Sequence, residues 1–329
     1  MEAVATLLRD LPEEERQEAA SEEAYRRLLE RLSRSSVVKH FDAYADVPWD
    51  DPAYAIDPSD PRFEIAADEP LGATEWYRGL APELRARIGL HMTATFARIG
   101  RAFEGVLKRG MLEFLSRLPD DAPEIRYCYH EVIEEAQHSL IFHEFVQRVR
   151  AAGLDVRPPR IVGVAAHEVV RLGRRFPELF FFFVLAGEDP IDSVQRRALA
   201  GGRELHPLIE RISRIHITEE ARHMSFARHF LRRRVPQLGA GRLFLLRLRT
   251  AMVFAVAARL MMRPSPQIVR SYGIPRAVLR EAYGPGSLGH ARMLEALRKP
   301  RELCWELGVL NERWAPLWRR LGIYAPLGS

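Results

Sequence analysis

The chain has 329 residues, 47% apolar and 28% charged, the balance of a globular protein long enough to bury a core. Its formal charge of +5 rests on Arg, because only three of the 49 basic residues are Lys (Lys39, Lys108 and Lys299). The basic residues are interleaved with acids, and no basic run is spaced with aromatics for stacking on bases, so a nucleic-acid partner is excluded.

Residues 1–16 acquire Asp10 and Glu13-Glu14-Glu15 too early for a signal peptide. Residues 12–35 read as a charged surface helix. Between positions 40 and 70, Pro48, Pro52, Pro58, Pro61 and Pro70 fall among many Asp residues and break both helix and strand. The aromatics there (Phe41, Tyr44, Trp49, Tyr54, Phe63) mark a segment that wraps the body of the protein. Residues 82–118 carry Ile88, Met92, Phe96, Ile99, Phe103, Leu107, Met111 and Phe114 at helical steps of three and four. After a Pro-Asp-Asp-Ala-Pro break, a helix is expected over 124–152, ended by Gly153 and Pro158-Pro159. Residues 160–174 read as helical. Pro177 then opens a helix whose run 179–185 is apolar on every side and must be central, either as plain core or as the wall of a substrate cavity. Helices follow over 206–234 and 240–262, then shorter pieces at 276–283, 288–298 and 311–321. No alternating strand pattern occurs, so the fold class is all-α.

The greasiest stretch, 243–262, contains Arg247, Arg249 and Arg259, which are costly in lipid, and reads as a buried helix. The two cysteines, Cys128 and Cys304, give neither a disulfide framework nor a thiolate metal site. A cytoplasmic protein without a membrane partner is expected. No linker divides two cores, so 1–329 reads as one domain: an N-terminal helix and wrapping segment (1–80), metal-binding helices (81–235) and C-terminal helices completing the bundle (236–329).

Two short motifs carry the chemistry. Glu134-Glu135-Ala136-Gln137-His138 is echoed 85 residues later by Glu219-Glu220-Ala221-Arg222-His223. Positions i and i+3 share a helix face, so Glu135 with His138, and Glu220 with His223, can each reach one metal ion. One Glu-x-x-His is usually a surface pair. Two of them, each partnered by a helix with one inward Glu, form the carboxylate-bridged di-metal site of a ferritin-like bundle. Glu104, on the apolar stripe of its helix, and Glu188, after the Phe run, are the partners, with Glu113 as the alternative to Glu104. Glu104 stands 31 residues before Glu135, and Glu188 stands 32 before Glu220. His216 lies on the stripe of Glu220 and His223, and its counterpart in the first motif is Glu131, a carboxylate that could support a ligand His. Glu131, Glu134 and Glu219 read as supporting or surface groups, and His130, His143 and His229 lie off the stripe. The candidate metal ligands are therefore Glu104, Glu135, His138, Glu188, His216, Glu220 and His223. Carboxylates with imidazoles suit iron, with manganese possible, in a dioxygen-handling role.

This set resembles the p-aminobenzoate N-oxygenase family of di-iron arylamine oxygenases, whose sites carry three His and four Glu. His216 matches the additional His. Asp60-Pro61-Arg62-Phe63, and the stretch from Pro70-Leu71-Gly72 to Trp76-Tyr77, also look like that family's N-terminal region. The resemblance covers about residues 35–310. It implies a ferritin-like homodimer holding two iron ions, with O2 as co-substrate. A peroxo-di-iron species would oxidise an aryl amine through hydroxylamine towards nitroso and nitro. With no dinucleotide fingerprint and no cysteine cluster in the chain, an external electron donor is required. Family members acting on aminobenzoates hold the carboxylate with Arg and Tyr; Arg98 and Arg101 are the nearest candidates here. Three readings compete with this one: a related di-iron oxidase acting on C–H or C–C bonds, a non-catalytic iron-binding protein, and a purely structural helical protein.

Overall fold

The computed structural model describes residues 13–157 and 160–326. Residues 1–12, where the signal-peptide reading begins, and Pro158-Pro159, expected to end a helix, lie outside the described residues. Among the described residues there is no strand. Helix α1 spans Glu13–Val38. The proline-rich segment that follows forms only two single turns, Pro52–Tyr54 and Pro61–Phe63, and is succeeded by the one-turn α2 (Glu75–Arg78). The core helices are α3 (Pro82–Leu115), α4 (Glu124–Ala151), α5 (Arg160–Arg175), α6 (Pro177–Ala200), α7 (Pro207–Arg234) and α8 (Ala240–Met261). Short helices complete the chain: α9 (Pro266–Ser271), α10 (Arg276–Tyr283), α11 (Leu288–Ala296), α12 (Arg298–Glu306) and α13 (Ala315–Leu321). Proline stands in the first turn of α3, α6, α7 and α9, where its missing N–H has no intrahelical partner to lose.

Two antiparallel hairpins, α3–α4 and α6–α7, pack as a four-helix core, with α4 against α7 and α3 against α6. Helix α5 covers α3 and α6, α8 covers α6, and α1 lies across α4 and α7. Close approach at two places requires glycine. A Cβ at Gly187 would stand 2.2 Å from the Phe103 ring, one residue from both Glu188 and Glu104. A Cβ at Gly173 would stand 1.9 Å from the Gly110 carbonyl, where α5 meets α3.

The Phe run is plain core. Phe180, Phe181 and Phe182 are fully buried, and Phe181 meets Phe114, Phe226 and Phe230 at centroid distances of 5.3, 5.3 and 4.4 Å. The reading of 243–262 as a buried helix holds for one face and is corrected for the other. Helix α8 buries Leu246, Ala251, Phe254 and Ala258, but Phe244, Met252 and Val256 are about half exposed. Apolar side chains all round a helix say nothing about which face finds a neighbour. The short helix α9 and the division of the 288–306 region into α11 and α12 went unread, although the eight-residue α10 was read at 276–283. Pro266 and Pro300 stand in the first turns of α9 and α12, where a proline signals a break as readily as a start.

Candidate metal centre

Seven side chains from the four core helices meet in one layer. Glu104 comes from α3, Glu135 and His138 from α4, Glu188 from α6, and His216, Glu220 and His223 from α7. None is more than 1% exposed. Their donor atoms form three overlapping groups, Glu104–His138–His216, Glu135–Glu220–His223 and Glu188–His216–Glu220, each within 4.8 Å. The imidazoles reach across the helix pair. His138 Nδ1 is 3.2 Å from Glu220 and 3.9 Å from its own Glu135, whereas His223 Nδ1 is 3.1 Å from Glu135 and 3.2 Å from Glu220. Two donors at about 2.1 Å from one ion, at right angles, lie about 3 Å apart, so this spacing suits a shared cation.

The inward atoms have no hydrogen-bond partner in the protein. This holds for both carboxylate oxygens of Glu135, Glu188 and Glu220, for Glu104 Oε1, for both nitrogens of His216, and for Nδ1 of His138 and His223. Ionised carboxylates left dry and unpaired are strongly disfavoured, and a cation is what such a layer accommodates. Their mutual influence is severe: burial, and then the charge of Glu220, raise the carboxyls of Glu135 and Glu188 above the usual range. Glu220 itself is held low against burial by the charges of His223 and His216.

The outer atoms are fully engaged, in a reciprocal cross. His138 Nε2 pairs with Glu219 and His223 Nε2 with Glu134, both at 2.8 Å, so each motif's leading Glu orients the other motif's His. Arg222 donates to Glu134 at 2.8 Å. Burial would raise Glu134, but His223 and Arg222 outweigh it and bring its pKa down to about 2. The wrapping segment closes this outer layer: the Phe41 N–H donates to Glu219 at 3.1 Å, and Arg222 donates to the Lys39 carbonyl at 3.1 Å. A second support was not read from the sequence. Ser139 donates to Glu104 Oε2 at 2.7 Å, and Lys108 donates to Ser139 and, at 2.9 Å, to the Glu135 carbonyl. The available signal was the position of Lys108, one of three lysines, one helical turn after Glu104.

The reading of Glu131 as support for a ligand His is corrected, since Glu134 and Glu219 take that role. Glu131 is fully buried with both oxygens unpartnered, and burial raises its pKa to about 8. Glu113 is at the surface, 3.6 Å from Arg174, which leaves Glu104 as the inward residue of α3. His143 pairs with Arg101 at 2.8 Å, and exposed His229 bonds the Ser225 carbonyl.

The family described as P-aminobenzoate N-oxygenase AurF matches residues 22–308. The chain belongs to that family. Its shared architecture is a ferritin-like di-iron helical fold, and the all-α core of the present member is of that kind. The chain is also similar to uncharacterized proteins of Mycobacterium bovis and Mycobacterium tuberculosis. Each is 34% identical over 303 residues, a match covering 92% of this chain and 88% of the relative. As a p-aminobenzoate N-oxygenase family member, the protein has a di-iron oxygenase scaffold.

In this member of the N-oxygenase family the layer of candidate ligands has two unlike ends. Towards one end lie Leu107, Phe114, Tyr127, Phe181 and Phe226, tightly packed. Towards the other lies a cavity of about 290 Å³ lined by Phe96, Ile99, Phe142, Phe145, Ile212 and Ser213, among others. Phe142 stands one turn after His138 and tilts over the His216 ring at 5.4 Å; Ser213 stands one turn before His216. Met92 and Phe96, expected in the buried stripe, are only half-buried because they line this cavity. Neither Arg98 nor Arg101 lines it. No helix of the described residues is long and apolar enough to cross a membrane.

Proposed function

We propose that the protein is an O2-dependent di-iron oxygenase that converts an aryl amine to its hydroxylamine and onward towards nitroso and nitro products. The observation that supports this best is the seven-residue layer with its third imidazole, His216, and its unpartnered inward atoms. Glu104, Glu135, His138, Glu188, His216, Glu220 and His223 would hold two iron ions. When bound, the irons would supply the dioxygen chemistry. The first step consumes one O2, two electrons from an external donor and two protons, and releases one water with the hydroxylamine. The protein's own contribution is positional. Glu134 and Glu219 fix which imidazole nitrogen faces inward, Lys108 and Ser139 hold one oxygen of Glu104 outward, and the aromatic floor around Phe181 keeps water from that end. A homodimer in the cytoplasm is part of the proposal.

The test begins with iron content after anaerobic loading, where two per chain are expected. His216→Ala and Glu220→Ala should each lower that content; unchanged content in both variants would return the chain to a structural reading. Reduced, iron-loaded protein is then given O2 and an aryl amine, and products are followed by mass. Oxygen consumption with no oxygenated amine would shift the reading to a di-iron oxidase acting on C–H or C–C bonds. Oxidation of many irons per chain without organic product would indicate iron storage.

A further inference from the structure

Two of the three inward imidazoles lead outward to the same stretch of surface. His138 is one carboxylate, that of Glu219, away from the Phe41 N–H, and His223 reaches the Lys39 carbonyl through Glu134 and Arg222. Lys39 is exposed and Phe41 half-buried, so one or two side chains separate these imidazoles from surface chain. The other approaches are closed to a macromolecule. One end of the layer has the aromatic floor around Phe181, and the other opens on a cavity of about 290 Å³, the size of a small molecule. Helices α5 and α8 cover the side of α3 and α6, whereas the α4–α7 side carries α1 and the wrapping segment.

The surface around Lys39 and Phe41 is apolar. Val37 and Val38 at the end of α1, Tyr44 of the wrapping segment, and Tyr129, Ile133 and Leu140 of α4 are between 40% and 79% exposed. They are continuous. Gln137 accepts from the Ala43 N–H at 2.9 Å and donates to Asp42, which holds the segment against α4 within one turn of both Ile133 and Leu140. Tyr129, Ile133, exposed Ala136 and Leu140 follow one another at helical steps of four, three and four, an outward stripe about 16 Å long. An apolar stripe of that length on an outer face marks a contact surface.

Basic side chains flank the stripe on both sides. Exposed Arg31, Arg34 and Lys39 stand on the α1 side. On the α3 side, Lys108 bonds Ser139 and the Glu135 carbonyl, Arg101 bonds His143, and exposed Arg109 bonds the Gly105 carbonyl. None of these six cations pairs with an acid among the described residues. Of the acids nearby, Asp46 is held by Arg211 and Glu144 by Arg148, which leaves Glu30 and Asp42 without a cation. A partner that fits is therefore acidic, with an apolar centre to meet Val38 and Ile133. A second copy would bring the same basic flanks against each other. Charge of this kind speeds the approach of an acidic partner, and transient redox contacts bury less than about 1,200 Å² in total, an extent suited to one helical stripe and its flanks.

Resting on the di-iron reading above, which draws its electrons from outside, we propose that this face docks an acidic one-electron carrier of the ferredoxin class beside Lys39 and Phe41. Each encounter passes one electron from the carrier's reduced iron–sulfur cluster to one ferric ion of the centre, leaving the cluster oxidised and the ion ferrous. Two encounters supply the two electrons of the hydroxylamine step. The hydrogen-bonded routes to His138 and His223 begin at this contact.

Binding of an acidic plant-type ferredoxin to the purified protein is measured by calorimetry at about 50 and about 300 mM salt. Binding is expected, and it should weaken about tenfold or more at the higher salt. The double variant Arg34→Glu, Lys39→Glu and the single variant Ile133→Asp should each weaken it about tenfold or more, while Met252→Asp, on α8 across the core, should not. Reduction of the diferric protein by reduced ferredoxin should slow by a similar factor in the first two variants. Their iron content, and their reduction by dithionite with methyl viologen, should not change. No binding of the ferredoxin overturns the proposal, as does an equal loss in Met252→Asp or an equal slowing with dithionite. If Ile133→Asp splits a dimer into monomers and leaves ferredoxin reduction untouched, the face belongs to a second copy and the proposal fails. Product formation is read separately. Docking and reduction without an oxygenated amine would remove the N-oxygenase reading and keep this surface, and oxygenation driven by dithionite without ferredoxin binding would do the reverse.

Discussion

Glu134 and Glu219 show how much of a candidate metal site resides in residues outside its layer of donor atoms. Each is the leading member of a doubled Glu and bonds the His of the opposite motif at 2.8 Å. Glu134→Gln or Glu219→Gln should therefore weaken metal binding by about 10–100-fold while leaving the ligands in place, as a chelator-competition titration would measure. The side chains that meet in the layer were legible in the sequence because i, i+3 spacing and the repeat expose them. The crossed pairing was not, since nothing in a linear pattern says which helix a second carboxylate faces, and Glu131 looked equally suited. His206 offers a pH-dependent example at the same scale. It caps α7, its Nδ1 accepting from the Leu208 N–H at 3.3 Å, while its ring stacks on Phe63 at 4.5 Å. Burial holds its pKa below the ordinary 6.5. The unfolded chain thus binds the proton first, so this contribution to stability is complete above pH 6.5 and is lost as pH falls from there through the folded pKa. Thermal melts between pH 7 and 5 should fall less steeply for His206→Asn, which keeps a capping acceptor but does not titrate.

At the level of helices, the site depends on how closely α3 and α6 approach. Glu104 and Glu188 can share one layer because Gly187 leaves room for the Phe103 ring. Gly187→Ala should cost about 1–3 kcal/mol by overpacking, read as a lowered melting temperature, and should reduce iron content as well. If stability falls with iron content untouched, the contact is packing alone. Long helices were legible because α3, α4, α6 and α7 each run for twenty or more residues with periodic apolar positions or a continuous apolar run. The half-exposure of α8 and the short helices α9 and α12 were not. What a face packs against is a tertiary fact, and a proline in a first turn signals a break as readily as a start. The cavity was illegible for the same reason. Thr95 and Gln195 are ordinary helix residues in the sequence, and only the meeting of four helices makes them neighbours of an empty volume.

For the whole molecule, the two hairpins divide the seven candidate ligands unevenly: three from α3–α4 and four from α6–α7. The Lys39–Phe41 part of the wrapping segment then ties the outer carboxylates to the N-terminal strap. The reciprocal cross between α4 and α7 carries a thermodynamic consequence. An ion held by Glu135 and His223 would depend on the His223 bond to Glu134 on α4, and one held by His138 on its bond to Glu219 on α7, so each position would need the same pairing of α4 with α7. Occupancy at one position would then favour that pairing for the other, and His216 and Glu220, which belong to two donor groups each, would share in both. Metal uptake should be cooperative: a titration with ferrous iron should give a Hill coefficient above one, with few singly loaded chains in native mass spectra. Glu219→Gln should abolish that cooperativity before it abolishes binding.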